Sequence, residues 1–219
     1  MTKKAIFFDL DNTLYDYTNY YSAVLRKISN YLSIKYGLPS EEIYITGMNL
    51  FKIKTSRYPK YFNDLLEIFN IPQHEVTKCL EIFNNYSEKL TPYEDVIPTL
   101  EKLRNEGYIV GIITDGNPKR QKQKIKLLGL EKYFDIIVFT HDLNSPKPSS
   151  IPYRYGLEKT GIHPSFAYYV GDDPRIDFKG AKEVGMTTIR ILRGEFKDIP
   201  KNEYIDFEID YLTKIFKII

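Results

Sequence analysis

The chain has 219 residues, 42% of them hydrophobic and 27% charged, which is enough to bury one ordinary domain core with residues to spare. Lys and Arg number 31 against 29 Asp and Glu, a net charge of +2 that lacks the basic excess of a general nucleic-acid binder. A single cysteine, Cys79, and three histidines exclude a disulfide framework and a Cys- or His-rich metal site. No apolar run approaches the roughly 18 residues of a membrane span. Met1-Thr2-Lys3-Lys4 leads into too short an apolar stretch for a signal-peptide core, so a soluble cytoplasmic protein is expected.

In chain order, residues 5–8 (Ala-Ile-Phe-Phe) form the first predicted strand, ending at Asp9. Residues 15–92 follow as an inserted helical segment, broken at Gly37-Leu38-Pro39, Tyr58-Pro59 and Ile71-Pro72. Within it Tyr21, Val24, Leu25, Ile28 and Leu32 recur at helical spacing, as do Val76, Cys79, Leu80, Phe83 and Tyr86. Beyond it, strands are predicted at 109–113, 136–139, 166–170 and 188–192, with helices at 96–106, 118–129, 151–161 and 175–185. The first four strands are nearly continuous in apolar residues, as strands buried on both faces should be. This alternation predicts an α/β fold: a core at 1–14 and 93–219 built on a parallel sheet, with residues 15–92 inserted. Ligands of open parallel sheets bind beyond the carboxyl ends of the strands, so the chemistry is sought there.

The first strand ends in Asp9-Leu10-Asp11-Asn12-Thr13, two carboxylates at i and i+2 that an extended chain would project to one face. A calcium loop counted from Asp9 fails, because Leu14 and Tyr20 stand where glycine and glutamate are required. The second ends in Thr114-Asp115-Gly116-Asn117, a hydroxyl and glycine-assisted N–H groups suited to an anion. After the third comes Pro146-Lys147-Pro148, a lysine whose backbone is restricted on both sides. The fourth ends in Gly171-Asp172-Asp173, with Asp177 close behind. Carboxylates gathered in this way cannot all ionise without a cation, and a few oxygen ligands suit Mg²⁺.

An acidic pair, a hydroxyl, a lysine and a second acidic pair at successive strand ends resemble the haloacid dehalogenase superfamily, in its phosphatase branch with an α-helical cap after the first strand. The resemblance covers the whole chain and implies a Rossmann-like core, a cap at 15–92 and hydrolysis of a small phosphorylated metabolite by a monomer or homodimer. Asp9 is then the nucleophile and Asp11 the general acid/base, whose acid role calls for a raised pKa. Mg²⁺ is held by the Asp9 carboxylate, the Asp11 carbonyl and Asp172. Thr114, Asp115 and Lys147 bind the phosphate. Thr13, Asp173 and Asp177 support the site, Asp173 through a metal-bound water and Asp177 by pairing with Lys147.

The lysine motif departs from the family pattern at Ser149-Ser150, where Ser150 is expected to cap the following helix beside Pro152. A phosphomutase and a dehalogenase of the same fold stay open, although dehalogenases typically lack the second aspartate. A phosphonatase also stays open, with Lys52, Lys54 or Lys60 as its cap lysine. From a different class, a receiver-type phospho-accepting module also combines acidic residues, a hydroxyl, a lysine and Mg²⁺. The acid-free stretch 43–63 offers Arg57 as a candidate reader of a second substrate group. Lys119, Arg120, Lys122, Lys124 and Lys126 read as the solvent face of a helix.

Overall fold

The computed structural model describes residues 3–219; Met1 and Thr2, part of the stretch judged to lack a signal-peptide core, lie outside the described residues. The elements run β1 (Ala5–Phe8), α1 (Tyr17–Tyr36), α2 (Ser40–Lys54), α3 (Tyr61–Ile68), α4 (Val76–Asn84), α5 (Val96–Asn105), β2 (Ile109–Thr114), α6 (Pro118–Leu127), β3 (Ile136–Phe139), α7 (Ile151–Thr160), β4 (Ala167–Gly171), α8 (Lys179–Glu183), β5 (Thr187–Ile191) and β6 (Phe207–Ile209). The chain divides into two compact units: residues up to Tyr17 with Lys89–Ile219, and Thr18–Glu88. No helix among the described residues is long and apolar enough to cross a membrane.

In the first unit, six strands among the described residues form one parallel sheet in the order β3-β2-β1-β4-β5-β6. Parallel neighbours need crossover connections, and helices supply them, so the central strands are covered on both faces. All four residues of β1 are fully buried, as are Val110, Ile112 and Ile113 of β2 and Tyr169 and Val170 of β4. The strand order reverses between β1 and β4, the switch point at which open α/β sheets leave a crevice. Phe8 pairs with both Ile112 and Val170, so Asp9 leaves β1 between the carboxyl-terminal residues of β2 and β4.

Three expectations change. β3 is an edge strand whose Ile136, Ile137 and Phe139 are only half-buried, so its apolar run does not mark a two-sided burial. The helix expected at 175–185 is confined to Lys179–Glu183, because residues 173–178 form a tight turn. β6, only three residues long, carries too short a signal to be anticipated.

The second unit packs α1 to α4 around an aromatic core. Tyr21 stacks on Phe51 with ring centroids 4.1 Å apart and meets Tyr61 edge-on at 5.0 Å. Gly47 of α2 is required there, since a Cβ would lie 2.7 Å from Leu25 and 2.8 Å from the Tyr61 hydroxyl. The stripe expected along α4 holds at Cys79 and Phe83, but Leu80 is exposed.

Candidate active site

Four loops meet at the carboxyl end of the sheet. Asp9, just past β1, accepts a hydrogen bond from Lys147 Nζ at 2.6 Å. The same ammonium donates to Asp177 Oδ1 at 2.6 Å and to the Tyr169 hydroxyl at 3.2 Å, which uses its three protons. Asp177 Oδ2 in turn accepts the backbone N–H groups of Asp172 and Asp173, at 3.1 and 2.9 Å. Gly171 makes this possible, because a Cβ there would sit 2.5 Å from the Asp177 carboxylate. Thr13 Oγ1 donates to Asp172 Oδ1 at 3.4 Å.

Asp172 Oδ2 is buried and has no hydrogen-bond partner among the described residues. Oxygens of Asp9, Asp172 and Asp177 lie within 4.8 Å of one another, and all three residues are buried. Three carboxylates face one ammonium, so full ionisation leaves two negative charges, the charge of one divalent cation. Burial pushes the Asp9 carboxyl up to about 7, against the pull of Lys147 and with further push from Asp177 and Asp11. Burial and the neighbouring Asp177 and Asp9 raise Asp172 well above the carboxylate range. Burial opposes the charge on Lys147, but Asp177 and Asp9 outweigh it and raise its pKa well above the ordinary value. A crowded set of oxygen donors with one orphaned buried oxygen fits a hard cation.

Asp11 departs from the expectation drawn from its spacing. The chain turns after Phe8, with Asn12 in the left-handed region at φ 58°, and the Asp11 carboxylate lies against α6. Lys124 Nζ donates to both its oxygens, at 2.8 and 2.9 Å, Gln121 Nε2 donates at 3.2 Å, and the Tyr15 hydroxyl donates to Oδ1. Burial raises the Asp11 pKa, but Lys124, Tyr15 and Gln121 outweigh it and hold the group below its ordinary value. The predicted upward shift is therefore reversed, because neighbouring cations and donors, not carboxylates, dominate its surroundings.

Two further predicted site residues have side-chain partners of their own. Both carboxylate oxygens of Asp173 are bound by the Arg175 guanidinium at 2.9 Å in a fork-shaped ion pair. Asp115 Oδ1 accepts from Thr140 Oγ1 at 2.7 Å and from the Lys147 backbone N–H at 3.1 Å, so this side chain braces the lysine loop. Thr114 Oγ1 accepts from Gln121 Nε2 at 2.8 Å. Ser150 occupies the cap position of α7 without a side-chain cap bond; Ser149 Oγ accepts the Ile151 N–H instead, at 3.3 Å. Arg57 belongs to the helical unit, exposed on the turn between α2 and α3.

Lys124 is the buried residue at this site that the charge pattern concealed. It is 1% exposed, whereas Lys119, Lys122 and Lys126 of the same run face solvent. Asn117 caps α6 by accepting the Arg120 N–H, with Pro118 at the first turn. From that start, Gln121, Lys124, Ile125 and Leu128 share one buried face. The signal was this spacing, which groups Lys124 with apolar residues.

The profile of the haloacid dehalogenase-like hydrolases matches residues 6–191, most of the chain. The chain belongs to that family. Among its relatives, glyceraldehyde 3-phosphate phosphatase of Methanocaldococcus jannaschii is 33% identical over 99% of this chain and 96% of its own. Pyrophosphatase PpaX of Bacillus pumilus is 27% identical over 100% of this chain and 97% of its own. The crystal structure of a HAD phosphatase from Thermococcus onnurineus aligns with a TM-score of 0.70 at 33% identity, covering 98% of this chain and 97% of that one. These relatives place this haloacid dehalogenase-like hydrolase in the phosphatase branch, and the receiver alternative falls away.

Proposed function

We propose that the protein is a Mg²⁺-dependent phosphatase of a small phosphorylated metabolite, with glyceraldehyde 3-phosphate the first candidate substrate. The observation that carries this is the buried cluster in which Asp9 meets Lys147 while Asp172 Oδ2 is left without a partner. Carboxylates of Asp9 and Asp172, with the Asp11 carbonyl, would hold the metal, which when bound neutralises charge on the phosphoryl oxygens. Asp177 is fully used by Lys147 and two backbone N–H groups, which makes it a positioning residue and not a ligand.

In the first step an Asp9 oxygen attacks phosphorus and the bond from phosphorus to the substrate oxygen breaks, giving an aspartyl-phosphate. Asp11 gives its proton to the leaving oxygen, so a neutral alcohol departs. In the second step Asp11 takes a proton from water as that water attacks phosphorus; inorganic phosphate leaves and both aspartates return to their starting states. Lys147, exchanging its long bond to the Tyr169 hydroxyl, and the Thr114 hydroxyl bind phosphoryl oxygens throughout. The unliganded site holds Asp11 ionised, and a phosphate arriving beside it adds like charge that favours proton uptake before the acid step.

The substrate rests on the whole-length likeness to glyceraldehyde 3-phosphate phosphatase. The test measures phosphate release, with and without Mg²⁺, from glyceraldehyde 3-phosphate, glycerol phosphate, phosphoglycolate, a hexose phosphate, a nucleoside monophosphate and pyrophosphate. Glyceraldehyde 3-phosphate is expected to give the highest kcat/KM, and Asp9→Asn to abolish turnover in a folded protein. Retained turnover in Asp9→Asn overturns the mechanism, and pyrophosphate as best substrate overturns the substrate assignment. Arg57 of the helical unit is assigned to substrate choice; an Arg57→Ala variant with unchanged kcat/KM across the panel removes it.

A further inference from the structure

Burying an ammonium is costly, and an ion pair inside a protein is usually no more stabilising than apolar residues of similar volume. Lys124 is nevertheless buried on a face of α6 that Ile125 and Leu128 already dock. Gln121, on the same face, is also fully buried, and its Oε1 has no hydrogen-bond partner among the described residues. Turning the amide over would aim that oxygen at the Asp11 carboxylate, so the orientation with Nε2 toward Asp11 is the one that chemistry permits. An orphaned buried acceptor is costly, so helix docking alone does not explain a glutamine here.

What both side chains have in common is Asp11. Lys124 Nζ spans its two oxygens, and Gln121 Nε2 reaches Asp11 Oδ2 at 3.2 Å and Thr114 Oγ1 at 2.8 Å. The ammonium is itself set against aromatic rings, 4.7 Å from the Tyr17 centroid and 6.0 Å from that of Tyr15. We propose that Lys124 and Gln121 form a clamp on α6 that fixes the position of the Asp11 carboxylate relative to the phosphate-side hydroxyl of Thr114. They are positioning residues: neither exchanges a proton with substrate in the proposed steps. Because α6 follows directly from the Thr114–Asn117 turn, the clamp ties the acid/base to the phosphate site through one helix, and misplacement by about 1 Å is enough to lose about 100-fold in rate.

The inference rests on Asp11 acting as the general acid, and its test separates the two. An alkyl phosphate needs that acid, whereas p-nitrophenyl phosphate leaves as a stable phenolate and does not. Under this mechanism, kcat/KM reports the steps through phosphoryl transfer to Asp9, so the later base role of Asp11 does not enter. The best alkyl phosphate of the panel and p-nitrophenyl phosphate are compared for Lys124→Met, Gln121→Leu and Asp11→Asn, each checked for folding by its thermal melt. Lys124→Met is expected to lower kcat/KM about 100-fold for the alkyl phosphate but less than about 5-fold for p-nitrophenyl phosphate. Gln121→Leu is expected to show the same selectivity at about 10-fold, and it carries the test alone if Lys124→Met does not fold. Equal losses on both substrates, or none, while Asp11→Asn remains selective, overturn the clamp and leave the role of Asp11 standing. Absence of selectivity in Asp11→Asn overturns that role and the clamp with it.

Discussion

A carboxylate can be buried by being paired or by being crowded, and this chain does both. Glu75, in the helical unit, is 2% exposed and accepts hydrogen bonds from Tyr31 at 2.6 Å, Lys35 at 2.5 Å and Tyr36 at 2.8 Å. Those donors lower its pKa from 4.5 to about 2. Asp9 and Asp172 are crowded instead, and their pKa values rise. The difference separates a structural group from one that awaits a cation. For Glu75 the folded pKa lies below the unfolded one, so its stabilisation is complete above pH 4.5 and is lost as pH falls toward 2. Glu75→Gln is therefore expected to cost about 1–3 kcal/mol at pH 7, by urea unfolding. The gap to the unsubstituted protein should narrow as the pH is lowered through that window. A gap that stays constant from pH 7 to pH 3 removes the ionic part of the account.

At the scale of elements, the strand-end motifs were legible because each combines a buried apolar run with residues such a run cannot hide. The Asp9, Thr114, Lys147 and Asp172 loops do converge, and the strands at 5–8 and 136–139 stand where periodicity put them. What escaped was set by contacts distant in sequence. Residues 175–178 look helical, and the Asp177 N–H does make one helix-type bond to the Asp173 carbonyl at 3.0 Å, but the turn is not continued into α8, and the Asp177 side chain reaches Lys147. Lys124 carries a charge that local pattern assigns to solvent, and it is buried against Asp11 and the Tyr17 ring, contacts distant in sequence. Gly180 of α8 is a third case: a Cβ there would lie 2.6 Å from the Pro148 carbonyl oxygen and 2.5 Å from that of Ser149. The helix thus packs directly against the backbone that carries Lys147. Gly180→Ala is expected to lower stability by about 1–3 kcal/mol through overpacking. It should also lower kcat, because the displaced loop moves Lys147 away from Asp9. Lost stability with kcat unchanged would show that the Lys147 loop tolerates the shift.

Across the whole molecule the net charge of +2 averages two unlike distributions. The stretch 43–63 in the helical unit has basic residues and no acidic ones, while the first unit concentrates Asp9, Asp172 and Asp177 at one end of its sheet. Under the proposed function, that cluster is where a cation would bind the folded first unit, and the unfolded chain has no means to gather the same ligands. A ligand that binds only the folded state stabilises it by an amount that grows with the logarithm of its concentration, about 2.7 kcal/mol at 100 times Kd. Protein freed of metal with EDTA and returned to buffer is therefore expected to gain in Tm as MgCl₂ is added. The gain should keep rising, logarithmically, once the concentration exceeds Kd. Sodium chloride at matched ionic strength should not reproduce it, since screening acts weakly on buried groups. Asp172→Asn removes the carboxylate with the unpartnered oxygen and should abolish most of the Mg²⁺-dependent gain, while lessening the repulsion that the metal-free cluster suffers. Because Tm is read without substrate, the measurement tests the cluster as a metal site independently of any reaction. An Asp172→Asn protein that gains as much from Mg²⁺ as the unsubstituted chain would place the cation elsewhere.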